Sequence, residues 1–159
     1  MSKITTGLKK NERAKIEEIL RSTDFFYEFE IETALEIADE TLSKGTEKSG
    51  YYWLKVVDDD GVVAFANYGK NSFSVHSWEL YWIAVHNNSR HKKLGSMLLK
   101  AVEDDVRKLG GKILWIETSG RPKYASTEGY YQRNSYELAA SLKDFYGPGD
   151  PKQIYVKVL

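Results

Sequence analysis

The chain has 159 residues, of which 42% are hydrophobic, 13% aromatic and 29% charged, a length and balance that fit one globular domain and exclude disorder along the whole chain. Lysine plus arginine and aspartate plus glutamate come to 23 each, so the basic excess typical of nucleic-acid-binding domains is missing. The absence of cysteine excludes disulfides, thiol nucleophiles and thiolate zinc sites.

Met1–Lys10 lacks the apolar core of a signal peptide, and no apolar run reaches the roughly 18 residues that a membrane helix needs. A cytoplasmic protein with no membrane partner is therefore expected. A short strand is expected near Ile4. Residues 11–21 form a helix behind an Asn11 cap, with Ala14, Ile16, Ile19 and Leu20 near one face. A second helix spans 30–43, where Ile31, Ala34, Leu35, Ala38 and Leu42 keep the 3.6-residue period. Phe25, Phe26 and Tyr27 lie between the two, either packing the helix pair or touching a substrate.

The pattern then becomes β-rich. Tyr51–Val57 and Val62–Tyr68 form a hairpin around the turn Asp58-Asp59-Asp60-Gly61. Ser77–Val85 is the most strand-like stretch. A strongly amphipathic helix runs from Leu94 to Leu109 and stops at Gly110-Gly111. Ile113–Glu117 is a short strand, residues 124–133 a helix, and Tyr136–Leu142 and Gln153–Val158 the final strands, separated by a turn-rich loop at 146–151. The order is α-α-β-β-β-α-β-α-β-β, a mixed α/β fold with several hairpins rather than a doubly wound sheet.

One junction carries a chemical signal. Val85–Ser96 reads VHNNSRHKKLGS: a strand ends, a short polar turn follows and a helix begins. The first turn of a helix has free backbone N–H groups and a partial positive charge, which attract phosphate. Arg90, His91, Lys92 and Lys93 stand beside it and would reinforce a diphosphate site. The plainer alternative is a solvated basic turn. The usual Gly-rich nucleotide motifs are absent, and no aromatics interleave with the basic run, so no nucleic-acid partner is expected. His76, His86 and His91 are too scattered for a metal site, so no metal is expected.

Val85-x-x-x-x-Arg90-x-x-Lys93-x-Gly95 resembles the acetyl-CoA motif of the GNAT superfamily of N-acetyltransferases, V-x-x-x-x-[QR]-x-x-G-x-[GA]. Glu117-Thr-Ser-Gly120, then Thr127-x-x-Tyr130-Tyr131-x-x-x-Ser135-Tyr136, is similar to that family's E-T-S followed by T-R-x-F-Y-x-x-x-G-F. The likeness extends over most of the chain. Lys93 departs from it, standing where the family has the first glycine of the phosphate loop; Glu128 and Ser135 depart at two further positions.

The resemblance implies a single N-acetyltransferase domain over 1–159, with a mixed, mostly antiparallel central sheet flanked by helices. It implies acetyl-CoA as cosubstrate, bound by the backbone of Ile83, Ala84 and Val85 and by Arg90, His91, Lys92, Lys93, Leu94, Gly95 and Ser96. The acetyl group would pass directly to a primary amine, a small molecule by preference. Tyr131 matches the tyrosine that protonates the departing thiolate, and its neighbour Tyr130 is expected to turn into the core. Glu79 is the candidate general base; its alternative role is to pair with a cation or the substrate ammonium. Phe26, Tyr27, Tyr81, Glu117 and Thr118 are the candidate acceptor contacts. A homodimer is compatible with the resemblance, although no residue pattern specifies an interface. The rival reading is a CoA-binding sensor or interaction module of the same fold without turnover.

Overall fold

The computed structural model describes residues 2–159. Two compact units share the chain: one comprises the residues up to Gly69 with Tyr81–Asp105, the other Lys70–Leu80 with Val106–Leu159. The elements are β1 (Lys3–Thr6), α1 (Arg13–Ser22), α2 (Glu28–Lys44), α3 (Thr46–Ser49), β2 (Tyr52–Asp58), β3 (Gly61–Lys70), β4 (Ser77–Val85), α4 (Leu94–Lys108), β5 (Ile113–Ser119), α5 (Ala125–Arg133), β6 (Glu137–Gly147) and β7 (Asp150–Val158). The strands hydrogen-bond in the order β1-β2-β3-β4-β5-β7-β6. The β4–β5 pair is parallel, whereas β1–β2, β2–β3, β5–β7 and β6–β7 are antiparallel.

In the first unit, α1 and α2 bury their apolar stripes together. Ile16, Ile19 and Leu20 are fully buried against Ile31, Ala34 and Ala38, and the cluster continues into Trp53 and Phe65, whose rings lie 5.5 Å apart. Two details differ from the periodicity. Ala14 is exposed, and α1 begins at Arg13 because Lys10–Glu12 forms a 3-10 turn closed by the Lys9 N–H donating to Glu12 Oε2 at 2.8 Å. That contact takes over the role expected of Asn11. Leu42 is only half-buried; Thr41 holds the buried position instead and accepts the Trp53 indole N–H at 3.0 Å. The helix α3 has only four residues, too few to show a periodic signal, and it closes on Gly50 at φ 76°.

Lys55 on β2 is 1% exposed and pairs with Glu12, itself 14% exposed. A lone buried ammonium is expensive, so this partner is obligatory for the local fold.

In the second unit, the loop expected at 146–151 is instead a tight hairpin. Gly147 pairs with Asp150, and only Pro148 and Gly149 form the turn. Gly149 adopts φ 74° and donates its N–H to Asp144 Oδ1 at 2.9 Å. The left-handed glycine lets the chain reverse in two residues, so both strands run further than their apolar stretches suggest.

The buried Lys55–Glu12 pair yields a test. Glu12→Gln should lower stability by about 3–5 kcal/mol, since it strands the ammonium. Adding Lys55→Met should restore most of that loss in urea denaturation.

Candidate functional site

In the second unit, parallel pairing aligns Trp78 with Leu114, Glu79 with Trp115 and Leu80 with Ile116. Side chains alternate between the two faces of a sheet with period two. Trp78, Leu80, Leu114 and Ile116 are all buried and mark one face. Ile116 pairs in turn with Tyr155, and the Tyr131 ring of α5 packs on the Tyr155 ring at 5.3 Å. Tyr131 therefore covers this buried face. Glu79, Trp115 and Glu117 occupy the opposite face; Glu79 is half-buried and Glu117 exposed. The candidate base and the candidate acid thus lie on opposite sides of one strand pair.

Tyr131 is only 3% exposed and is packed among Tyr130, Tyr136 and Tyr155. Tyr130, expected to be the core residue of the two, is half-buried. Helix geometry explains the exchange: α5 turns its buried stripe toward Tyr155, and Tyr131 is the residue on that stripe. Burial pushes the Tyr131 phenol well above its ordinary range, helped by the neighbouring Tyr130 and Tyr155.

Glu117 forms an ion pair with Lys152 on β7, Oε2 to Nζ at 2.8 Å. Sequence reasoning missed Lys152 because the residue falls between the loop expected at 146–151 and the strand expected from Gln153. With β7 beginning at Asp150, the period of two puts Lys152, Ile154 and Val156 on one face, and this was the available signal. Thr118 is half-buried and donates its hydroxyl to the Ser119 carbonyl at 3.3 Å.

The first unit holds the other candidates. Tyr81 is 38% exposed and meets the Tyr51 ring edge-on at 5.8 Å. Phe26 packs edge-on against Trp82 of β4 at 5.1 Å, and both lie against the core that α1 and α2 share, while Tyr27 stays exposed and stacks on Phe29 at 5.4 Å. Ala84 is buried; Ile83 and Val85 are half-buried.

After β4, Asn87–Ser89 makes a 3-10 turn capped by His86, whose Nδ1 accepts the Asn88 N–H at 3.0 Å. The Asn87 N–H donates to Ser22 Oγ at 3.0 Å, which ties the turn to α1. Arg90, His91, Lys92 and Lys93 are exposed. Among the described residues none of these four has a carboxylate within ion-pair reach; the Arg90 guanidinium donates only to the neutral Asn87 side chain, at 3.3 Å. His91 and Lys93 adopt φ 69° and 58°. The Lys93 carbonyl accepts the Met97 N–H at 3.1 Å, the first bond of α4. The amides of Leu94 and Gly95 therefore have no acceptor within the helix. Uncompensated positive charge beside such amides is a receptor for an anion.

Residues 14–134 match the model of the acetyltransferase (GNAT) family. The chain belongs to the GNAT acetyltransferase family. Its structure is similar to that of a GNAT-family chain from Desulfovibrio desulfuricans, with a TM-score of 0.96 and 35% identity over 99% of each chain. It also shares its fold with an aminoglycoside 6'-N-acetyltransferase solved with coenzyme A (TM-score 0.77, 17% identity, 98% of this chain and 96% of that one). A third likeness in fold is to the ribosomal-protein-S18-alanine N-acetyltransferase of Escherichia coli (TM-score 0.74, 20% identity, 99% and 94%). No curated protein matches the sequence. The mixed, mostly antiparallel sheet is the GNAT fold that the motifs implied.

Within this GNAT chain, Lys93 occupies the left-handed region that its family's glycine tolerates without cost. For an L residue that conformation costs roughly 1–2 kcal/mol, and the greater freedom of unfolded glycine offsets part of it. Lys93→Gly should therefore raise the stability by up to about 1 kcal/mol in urea denaturation.

The buried phenols give a pH test. The folded chain holds the Tyr131 and Tyr68 protons more tightly than the unfolded chain does, in both cases mainly through burial. This stabilisation is complete below about pH 10, the unfolded phenol pKa, and is lost as pH rises above it. Urea midpoints should fall between about pH 10 and 11.5, and Tyr131→Phe should make that fall shallower.

Proposed function

We propose that residues 1–159 act as one N-acetyltransferase that moves the acetyl group of acetyl-CoA to a primary amine, probed most directly with small molecules. The observation that carries this reading is the unpaired basic turn at the start of α4. Its residues suit a diphosphate: the Leu94 and Gly95 amides, the Arg90 guanidinium, and the His91, Lys92 and Lys93 side chains. The Ile83 and Val85 backbone would take the pantetheine arm, with Ala84 and Ser96 completing the contact.

An alkylamine with a pKa near 10 is only about 0.1% neutral at pH 7, so exposing its lone pair costs roughly 4 kcal/mol. Glu79 is assigned that proton, directly or through water. The amine nitrogen attacks the thioester carbonyl carbon, the carbon–sulfur bond breaks, and the thiolate leaves. Tyr131 is assigned the proton that neutralises the thiolate. A phenol is protonated at neutral pH already at its ordinary pKa, so what supports this role is the motif match of Tyr131; burial holds the proton more tightly and makes the phenol a weaker donor. Base and acid lie on opposite faces of the β4–β5 pair, so this reading needs the thioester to sit beyond Leu80 and Ile116, where the pairing of the two strands ends. Tyr81, Phe26, Tyr27, Glu117 and Thr118 are assigned to the acceptor.

The burial of Tyr131, at 3% exposure, favours a second reading, a CoA-binding module without turnover. Calorimetry with acetyl-CoA followed by thiol release across a panel of amines separates the two. Binding with amine-dependent release supports the enzyme; binding alone supports the module.

For the enzyme, Tyr131→Phe should lower turnover by about 10–1000-fold, the range of a lost general acid, with the affinity for CoA unchanged. Glu79→Gln should reduce the rate most at low pH, where the amine proton is hardest to remove. A pH–rate profile of unchanged shape would give Glu79 a positioning role instead.

A further inference from the structure

That reading uses Glu117 but leaves its partners, Lys152 and Phe145, without a role. Lys152 is 15% exposed, yet its ammonium is held by two groups that are largely in solvent. Glu117, 46% exposed, contacts it at 2.8 Å, and the ring of Phe145, 55% exposed, faces it at 4.3 Å. A carboxylate on one side and an aromatic face on the other make a receptor for a primary ammonium. Here the chain's own lysine fills it.

The surroundings hold that arrangement firmly. The Gly120 N–H donates to the Pro151 carbonyl at 2.8 Å, and Ser119 Oγ bonds to Asp150, so the end of β5 is fastened to the residues just before Lys152. Phe145 is braced edge-on by Tyr146 at 5.0 Å. Strand pairing puts Glu117 on the same face as Glu79, two positions along from the residue that Glu79 opposes. The cluster therefore lies on the face of Glu79, the residue to which the amine proton is assigned.

We propose that Lys152 is a specificity-determining residue that acts as an internal ammonium. By occupying the Glu117–Phe145 cation site, it makes the enzyme select monoamines and turn away acceptors with a second ammonium near the reacting one. A diamine would bring its second cation against Lys152; a monoamine with a neutral or anionic far end would not. The proposal rests on the acetyltransferase reading for its substrate class, but the charge preference is also a binding property and can be measured without turnover.

The test compares butylamine with 1,4-diaminobutane as acceptors, read as thiol release from acetyl-CoA, and as binding of each amine to the CoA-loaded protein by calorimetry. The wild type should favour butylamine in kcat/KM by at least about tenfold, the scale of one like-charge contact at short range in a partly screened site. Lys152→Met empties the cation site and should shift the ratio toward the diamine by about 10–100-fold, mainly through KM. Lys152→Arg should retain the wild-type preference. Adding Glu117→Gln to Lys152→Met should abolish the diamine gain. Glu117→Gln alone keeps the lysine cation without its partner and should sharpen discrimination against the diamine, which keeps the test alive if Lys152→Met does not fold. Equal changes for both amines in Lys152→Met, or in Glu117→Gln should it be the only folded variant, would overturn the proposal while leaving the transferase reading intact. If no amine is acetylated, the transferase reading falls, and calorimetry alone decides the charge preference by the same criteria.

Discussion

The parallel register that sets Glu79 opposite Trp115 is the constraint on which the chemistry of the second unit depends. A slip of one residue would exchange the faces. Glu79 would then enter the layer occupied by Trp78, Leu80, Leu114 and Ile116, and a carboxylate buried there without a partner would cost several kcal/mol. The register is fixed from outside the strands as well. The N–H groups of Lys112 and Ile113 donate to the His76 carbonyl at 3.0 and 3.4 Å, so β5 starts level with β4. The approach is so close that a Cβ on Gly111 would lie 2.5 Å from Trp78 and 2.3 Å from Val106. Glycine at this position is what lets the chain leave α4 and enter β5 beneath the indole ring.

The basic turn of the first unit is built on a different principle. Several cations are paired, among them Arg13 with Asp39, Arg21 with Glu28, Lys44 with Glu40 and Lys55 with Glu12. Residues 90–93 instead put four potentially cationic side chains in a row. On a chain of zero net charge, four side chains without a carboxylate concentrate a local positive field that the composition conceals. The same segment holds two non-glycine residues in the left-handed region, His91 and Lys93. Left-handed residues also occur at Asp24, Ser135 and Asp144, so what sets this turn apart is their coincidence with four potentially cationic side chains.

Much of this was legible in the sequence, because periodicity and turn chemistry agree over long stretches. The β2–β3 hairpin, β4, α4 and the short strand at Ile4 lie where alternation, caps and glycines put them. Three things were not legible, each for a physical reason. The four residues of α3 are fewer than the period needs to declare itself. At 146–151 the residues Tyr-Gly-Pro-Gly-Asp-Pro read as a turn-rich loop, although a left-handed Gly149 lets the chain reverse in two residues. The order of burial at Tyr130 and Tyr131 depends on where α5 meets Tyr155, a tertiary contact that no local pattern encodes.

The misread hairpin also hid the partner of Glu117. A carboxylate at a strand end reads from sequence as available to a substrate, and its motif encourages that reading. The ion pair with Lys152 changes what the carboxylate can do, since its charge is already compensated and its geometry already committed. Glu79 and Glu117 share a face and a residue type, and Glu117 has a lysine fastened beside it through the Gly120–Pro151 and Ser119–Asp150 contacts. Two carboxylates on one face therefore separate into unlike roles: one assigned to the moving proton, the other held in a fixed pair that sets the charge the face presents.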